Sequence, residues 1–198
     1  MTVSIDGLGT LEWTGEPGHA TYRDGTLELE ASAGADWSND ALGGPAQQRA
    51  TALAFPALAQ FSLSTRVAVT GPRTTFDAGA LAIWADADHW AKLCFEFSPQ
   101  GQPMVVSVVT NEFSDDVNSV PVSDEFVHLR VTRTGPAWAF HSSSDGSRWD
   151  FVRLFRLATG HPIKVGFLAQ APLGDCCRAR FDQISLTTEI PGDLRNGS

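Results

Sequence analysis

The feature that most restricts how this chain can fold is a two-residue apolar period that recurs from one end to the other. Alternate side chains of an extended strand point to opposite faces. The run from Trp90 to Phe97 therefore sorts into an apolar face (Ala91, Leu93, Phe95, Phe97) and a mixed one (Trp90, Lys92, Cys94, Glu96). The same alternation predicts strands over 26–31, 61–69, 79–84, 90–97, 104–111, 127–133, 138–142, 151–157, 163–170 and 179–187, with weaker ones at 3–5, 11–13, 19–23 and 50–55. Turn residues punctuate the gaps at Asp24-Gly25, Pro99–Gly101, Gly135-Pro136 and Asp145-Gly146. Short strands at this spacing indicate an all-β sandwich or barrel. No segment keeps a helical stripe for three turns; Ala85–His89 has room for a single helical turn.

With 198 residues, 42% of them hydrophobic, the chain is long enough to bury its own core without staples. It is expected to form one sandwich domain over 1–190, followed by a flexible tail over 191–198. The net charge of −9, with no basic run of even three residues, argues against nucleic acid and against anionic membrane surfaces. No apolar run approaches the ~20 residues that a bilayer requires, and the first residues lack the pattern of a secretory signal. Cys94 and the adjacent Cys176-Cys177 do not make a disulfide framework, so free thiols in a cytoplasmic protein are expected.

Several chemistries lack their residues. No Ser sits in a nucleophile elbow, no His or Cys has zinc spacing, and no glycine-rich phosphate loop occurs. The acidic stretches Asp86–Asp88 and Asp115-Asp116 lack the ligand count and glycine spacing of a calcium loop. No metal site and no cofactor are expected. Glu96 has no second carboxylate two or four residues away on its strand. A two-carboxylate hydrolase would need one from elsewhere, with Asp77, Asp115 and Asp116 the candidate sources.

The mixed face of 90–97 is the candidate ligand side. Trp90 offers an apolar ring, Lys92 a cation and Glu96 a carboxylate. Lys92 and Glu96 lie about 13 Å apart at ~3.3 Å per residue, so each should meet a neighbouring strand or a ligand rather than the other. On the next strand, Ser107 and Asn111 favour their face as the ligand side and would bring Ser107 near Glu96. The Ala/Gly/Asp-rich segment Gly34–Gln48 has no period and is predicted to be a long loop, the kind that often carries function.

These segments also resemble a known family. Asp77-Ala-Gly-Ala-Leu81 followed by Asp88-His-Trp-Ala-Lys-Leu-Cys-Phe-Glu96 resembles the pattern of a domain-of-unknown-function family that includes the fungal protein called regulation of enolase protein. Val106–Asn111 with Phe113–Asp115, the turn Ser142–Trp149, and the strands around Val165–Phe167 and Phe181-Asp182 are similar to further family segments, and Asp36-Trp37 matches an upstream element. Asp116 departs from the family, which usually has Trp there.

The resemblance implies a concanavalin A-like jelly roll of two antiparallel sheets, the fold of lectins and glucanases. The leading functional expectation is a carbohydrate-binding type of jelly roll without established catalysis. Its small sugar-like ligand would lie on the concave sheet, with Trp37 and Trp90 stacking and Asp77, Lys92, Glu96, Ser107 and Asn111 making polar contacts. Two alternatives stay open. One is an enzyme acting on a sugar or related metabolite with Glu96 as acid or base. The other is a regulatory protein-interaction module using the same face or the Gly34–Gln48 loop.

Overall fold

A computed structural model of the chain describes residues 2–197 and is all-β. The first sheet runs, edge to edge, β1 (Thr2–Ile5), β2 (Gly9–Trp13), β7 (Leu53–Pro56), β16 (Lys164–Gln170), β9 (Ala78–Asp86), β10 (His89–Phe97), β11 (Pro103–Asn111) and β12 (Phe113–Pro121). The second runs β15 (Asp150–Arg156), β14 (Ala137–Ser143), β13 (Phe126–Thr134), β8 (Gln60–Thr70), β17 (Cys176–Thr187), β4 (Thr26–Ser32) and β3 (His19–Arg23). Every pairing is antiparallel, and neighbours in space are often distant in sequence, as where β16 inserts between β7 and β9. The result is a jelly-roll sandwich.

The period-2 reading finds its reason in the core. Leu93 and Phe95 of β10, Val105 and Val109 of β11, Leu63 and Val67 of β8 and Phe181 of β17 are all buried. The sheets approach closely at Gly79, where an added Cβ would come within 2.8 Å of both Val67 and Ala179. Any larger side chain there would have to push the layers apart.

Two local expectations are corrected. Ala85–His89 makes no helical turn: β9 and β10 join through a tight turn at Ala87-Asp88, because both flanking runs keep their strand period. The strand β12 was not anticipated. Its sequence is polar, since it is the outermost strand and only Ser114 of it is buried. The segment after Pro191 lies against the second sheet. The Arg130 guanidinium donates to the Gly197 carbonyl (2.7 Å), and His141 Nε2 lies 2.7 Å from the Leu194 carbonyl.

Candidate functional site

The register of the first sheet decides which residues look away from the core. On β10 these are Trp90, Lys92, Cys94 and Glu96, opposite Thr110, Val108, Val106 and Met104 of β11. Ala78, Ala80 and Ala82 of β9 and Gly166 of β16 lie on the same face. This column of small residues leaves a trough, and residues 33–52 cross it as a strap. The predicted long loop thus contains a small hairpin of β5 (Trp37–Ser38) and β6 (Gln47–Gln48). A bridge between Ala35 and Ala171 ties down its start. Asn39 anchors its middle, with its amide nitrogen donating to the carbonyls of Ala87 (3.1 Å) and Glu112 (2.9 Å).

The strap divides the face into a dry part and a wet part. In the dry part the Trp37 ring packs on Trp84 and Trp90, with centroids 4.5 and 5.8 Å apart. Both buried indoles are satisfied internally, Trp37 by the Ala50 carbonyl and Trp90 by that of Ala87. At the boundary stands Lys92, 3% exposed. Its ammonium donates all three protons, each over 2.8 Å, to Asp36 Oδ1, the Trp37 carbonyl and Gln170 Oε1. The amide of Gln170 turns its nitrogen to the Phe76 carbonyl (2.8 Å) and to Glu96 Oε2 (3.3 Å). Lys92 and Glu96 are therefore coupled through a glutamine of the neighbouring strand, not directly.

The wet part is a cavity of about 260 Å³. Asp36, Lys92, Glu96, Asp116, Asn118 and Gln170 line its polar side, and Phe76, Pro172 and Leu173 its apolar rim. Phe76 sits at φ +71°, a left-handed conformation that is strained for a bulky residue. That twist points its carbonyl at Gln170.

Electrostatics follow from burial beside charge. Glu96, 7% exposed, has its carboxyl pushed up to about 7 by burial, with Asp36 and Asp116 adding to the rise and Lys92 opposing it. Asp116, on the exposed edge strand, is also held above its ordinary value, by burial against the pocket and by Asp36 and Asp115. Burial pulls Lys92 down, but Asp36 and its other anionic neighbours outweigh it, and the ammonium stays charged above its usual range. Cys94, fully buried between Lys92 and Glu96, has its thiol pushed far up by burial and supplies no nucleophile. The arrangement can therefore accept hydrogen bonds, hold a cation and exchange one proton near neutrality.

The expected site residues divide accordingly. Lys92, Glu96 and Trp37 border the pocket, but Trp37 and Trp90 are packed and have no free face for stacking. Ser107 is turned the other way. It lies opposite Leu93 and is fully buried between the sheets, because the strand's pleat gives the strap face to Val106 and Val108. Asn111 is exposed at the far end of β11, beyond Trp90. Asp77 is buried outside the pocket, where its Oδ2 accepts from the Thr74 amide over 2.8 Å and closes a turn before β9. Sequence reasoning did not place Phe76, Asn118 or Gln170 at the site; it named Asp116 as a departure from the family pattern and, with Asp77 and Asp115, as a candidate source of a second carboxylate. Gln170 could have been found as the one polar residue of the run Val165–Gln170. Asp116 could be named but not placed, because the strand that carries it went unrecognised.

A family model described as "Protein of unknown function (DUF1349)" matches residues 13–189. No curated protein matches the chain. Among solved structures, a functionally unknown protein from Saccharomyces cerevisiae superposes with a TM-score of 0.82 at 26% identity, covering 91% of this chain and 97% of that one. A xylan β-1,4-xylosidase from Bacillus halodurans gives a TM-score of 0.65 at 16% identity, over 83% of this chain and 33% of the enzyme. An alginate lyase from Klebsiella pneumoniae gives 0.54 at 13%, over 86% and 84%. The last two likenesses concern the fold alone.

Proposed function

The chain belongs to the DUF1349 family, and on that premise we propose that it binds a small, polar, sugar-like ligand in the pocket beside the strap, as a carbohydrate-binding type of concanavalin A-like jelly roll. The observation that carries this is the composition of one cavity. Carboxylates and amides form its polar side, while Phe76 and Leu173 form an apolar rim suited to the C–H face of a sugar ring. Phe76, not the two buried Trp, is the aromatic within reach. The xylosidase and the lyase lend fold-level support only. Kinship with the fungal regulation of enolase protein, a cytoplasmic setting and an absence of nucleic-acid and membrane partners belong to the same proposal.

A titration of the protein against a glycan array tests it. The expected result is binding of one class of small glycan that Asp116→Arg abolishes without shifting the melting temperature. Binding that survives Asp116→Arg, or no binding across the array, overturns the reading.

A second reading is favoured by one observation, the Glu96 carboxyl held at about 7 with Asp116 lining the same cavity. Under it the protein is an enzyme acting on a sugar or related metabolite, with Glu96 as general acid or base. Turnover in a metabolite screen, lost in Glu96→Gln, would support this; identical profiles for both proteins would remove it.

A further inference from the structure

The charges around the pocket do not balance, and the imbalance has a direction. Three carboxylates (Asp36, Glu96, Asp116) meet one ammonium. That ammonium is spent: each Lys92 proton already has an acceptor on the protein. The nitrogen of Gln170 is likewise committed, to Phe76 and Glu96. The acceptors are not spent. Among the described residues, Glu96 receives one long side-chain bond, 3.3 Å on Oε2, and its Oε1 is left for the cavity. Neither Asp36 Oδ2 nor either oxygen of Asp116 accepts a side-chain hydrogen bond within the pocket. These acceptors open on the cavity rather than being sealed from it, so they favour a ligand that brings donors.

We propose that the ligand of this pocket carries a protonated amine together with its hydroxyls, as an amino sugar or aminated polyol does, and that acidic and phosphorylated sugars are refused. The inference rests on the sugar-like reading above and narrows it. The ammonium would sit against Glu96 Oε1 and the Asp116 carboxylate, with the carbon skeleton against Phe76 and Leu173. An anionic ligand would face the Asp116 and Glu96 carboxylates while the Lys92 ammonium is already committed to Asp36, the Trp37 carbonyl and Gln170.

A proton accompanies the binding. Glu96 is faced by Lys92 and Cys94 on its own strand, Asp36 from the strap, Asp116 from β12, Arg73 from the loop before β9, and the uncharged Gln170 from β16. An arriving ammonium favours its ionised form, so binding releases the Glu96 proton and tightens as pH rises.

The test uses glycosides of a shared set of hexose and pentose rings that differ only in tail: 2-aminoethyl, 2-hydroxyethyl and carboxymethyl. Titration calorimetry at pH 6, 7 and 8 should find the aminoethyl compound at least tenfold tighter than its hydroxyethyl counterpart on the same ring, and the carboxymethyl compound silent. The preference should grow roughly tenfold from pH 6 to pH 8, following ionisation of a group at about 7. Glu96→Gln should abolish that growth while its melting curve shows a folded protein. If hydroxyethyl and aminoethyl tails bind equally, or the carboxymethyl tail binds best, the amine inference fails and the sugar reading stands. If no ring binds with any tail, the sugar reading fails and takes the inference with it. Calcium binding that blocks the aminoethyl compound would mark a metal site and overturn the inference too.

Discussion

The two parts of the strap face are built by the same strands and behave oppositely. At one end Trp37, Trp84 and Trp90 close over a sheet of small residues and exclude water. Two residues along the same strand, Lys92 opens a zone where Glu96 and Asp116 meet a cavity. The dry end gains from apolar area removed from water, while the wet end holds buried charge at a cost to the fold. Lys92 serves both. It pins Asp36 and the Trp37 carbonyl, and so fastens the strap, and through Gln170 it sets the position of Glu96. A site that stores unfavourable burial needs a stabilising neighbour, and here the neighbour is the tryptophan cluster.

The comparison breaks most readily at its dry end. Trp37→Ala should cost about 3–5 kcal/mol in denaturant melts, since it empties a packed site and releases the strap. A loss under ~1 kcal/mol would mean that the strap is not anchored by its tryptophan. Lys92→Met comes next, at about 3 kcal/mol, because it strands the Asp36 carboxylate, the Trp37 carbonyl and Gln170 Oε1 without a donor. A melting temperature equal to that of the wild type would show that Lys92 is free for ligand after all.

At the wet end the sign reverses. The Glu96 carboxyl is raised from 4.5 to about 7 in the fold, so the unfolded chain loses this proton first as pH rises. Stability should therefore fall between about pH 4.5 and pH 7, then level off. Glu96→Gln should remove the fall and stabilise the protein by up to about 3 kcal/mol at pH 8, measured by urea unfolding. Loss of stability in that variant at pH 8 would contradict burial as the cause.

His141, on the second sheet beneath the folded-back tail, sharpens the point with the opposite sign. Burial lowers its pKa to about 4, so its contribution is full above pH 6.5 and lost as pH falls towards 4. His141→Gln should remove the loss of stability between pH 6.5 and 4 that the imidazole causes, and Glu96→Gln the fall between pH 4.5 and 7, while carboxylates such as Asp182, held low by Arg66, keep a decline in stronger acid in both. Identical curves would remove both assignments.

The smallest expected effect is at Phe76. Phe76→Gly releases the left-handed strain and loses some apolar contact, so stability should change by less than about 1 kcal/mol. Ligand affinity should drop several-fold if the ring is the stacking face. Unchanged affinity would move that face elsewhere.

What the sequence determined by itself is the local geometry. Alternation in segments such as Trp90–Phe97 and Lys164–Gln170 states that they are strands and which residues share a face, because the pleat is a property of each strand alone. It could say that Trp90, Lys92, Cys94 and Glu96 look one way, and they do. It could not say that this face is covered. Trp37, the strap residue that covers Trp90, comes from more than fifty positions earlier, and no period in 34–48 records where it will lie. Nor could it orient Ser107, since Val106 and Val108 are as apolar as Val105 and Val109 and only the pairing with β10 decides between them. The polar β12 carries no burial signal, so Asp116 could be named as a spare carboxylate but not placed beside Glu96. Local period is written in neighbouring residues, while a site is made by strands that meet only after the chain has folded. The acidic pocket is therefore a product of the tertiary structure, assembled from residues of six separate segments.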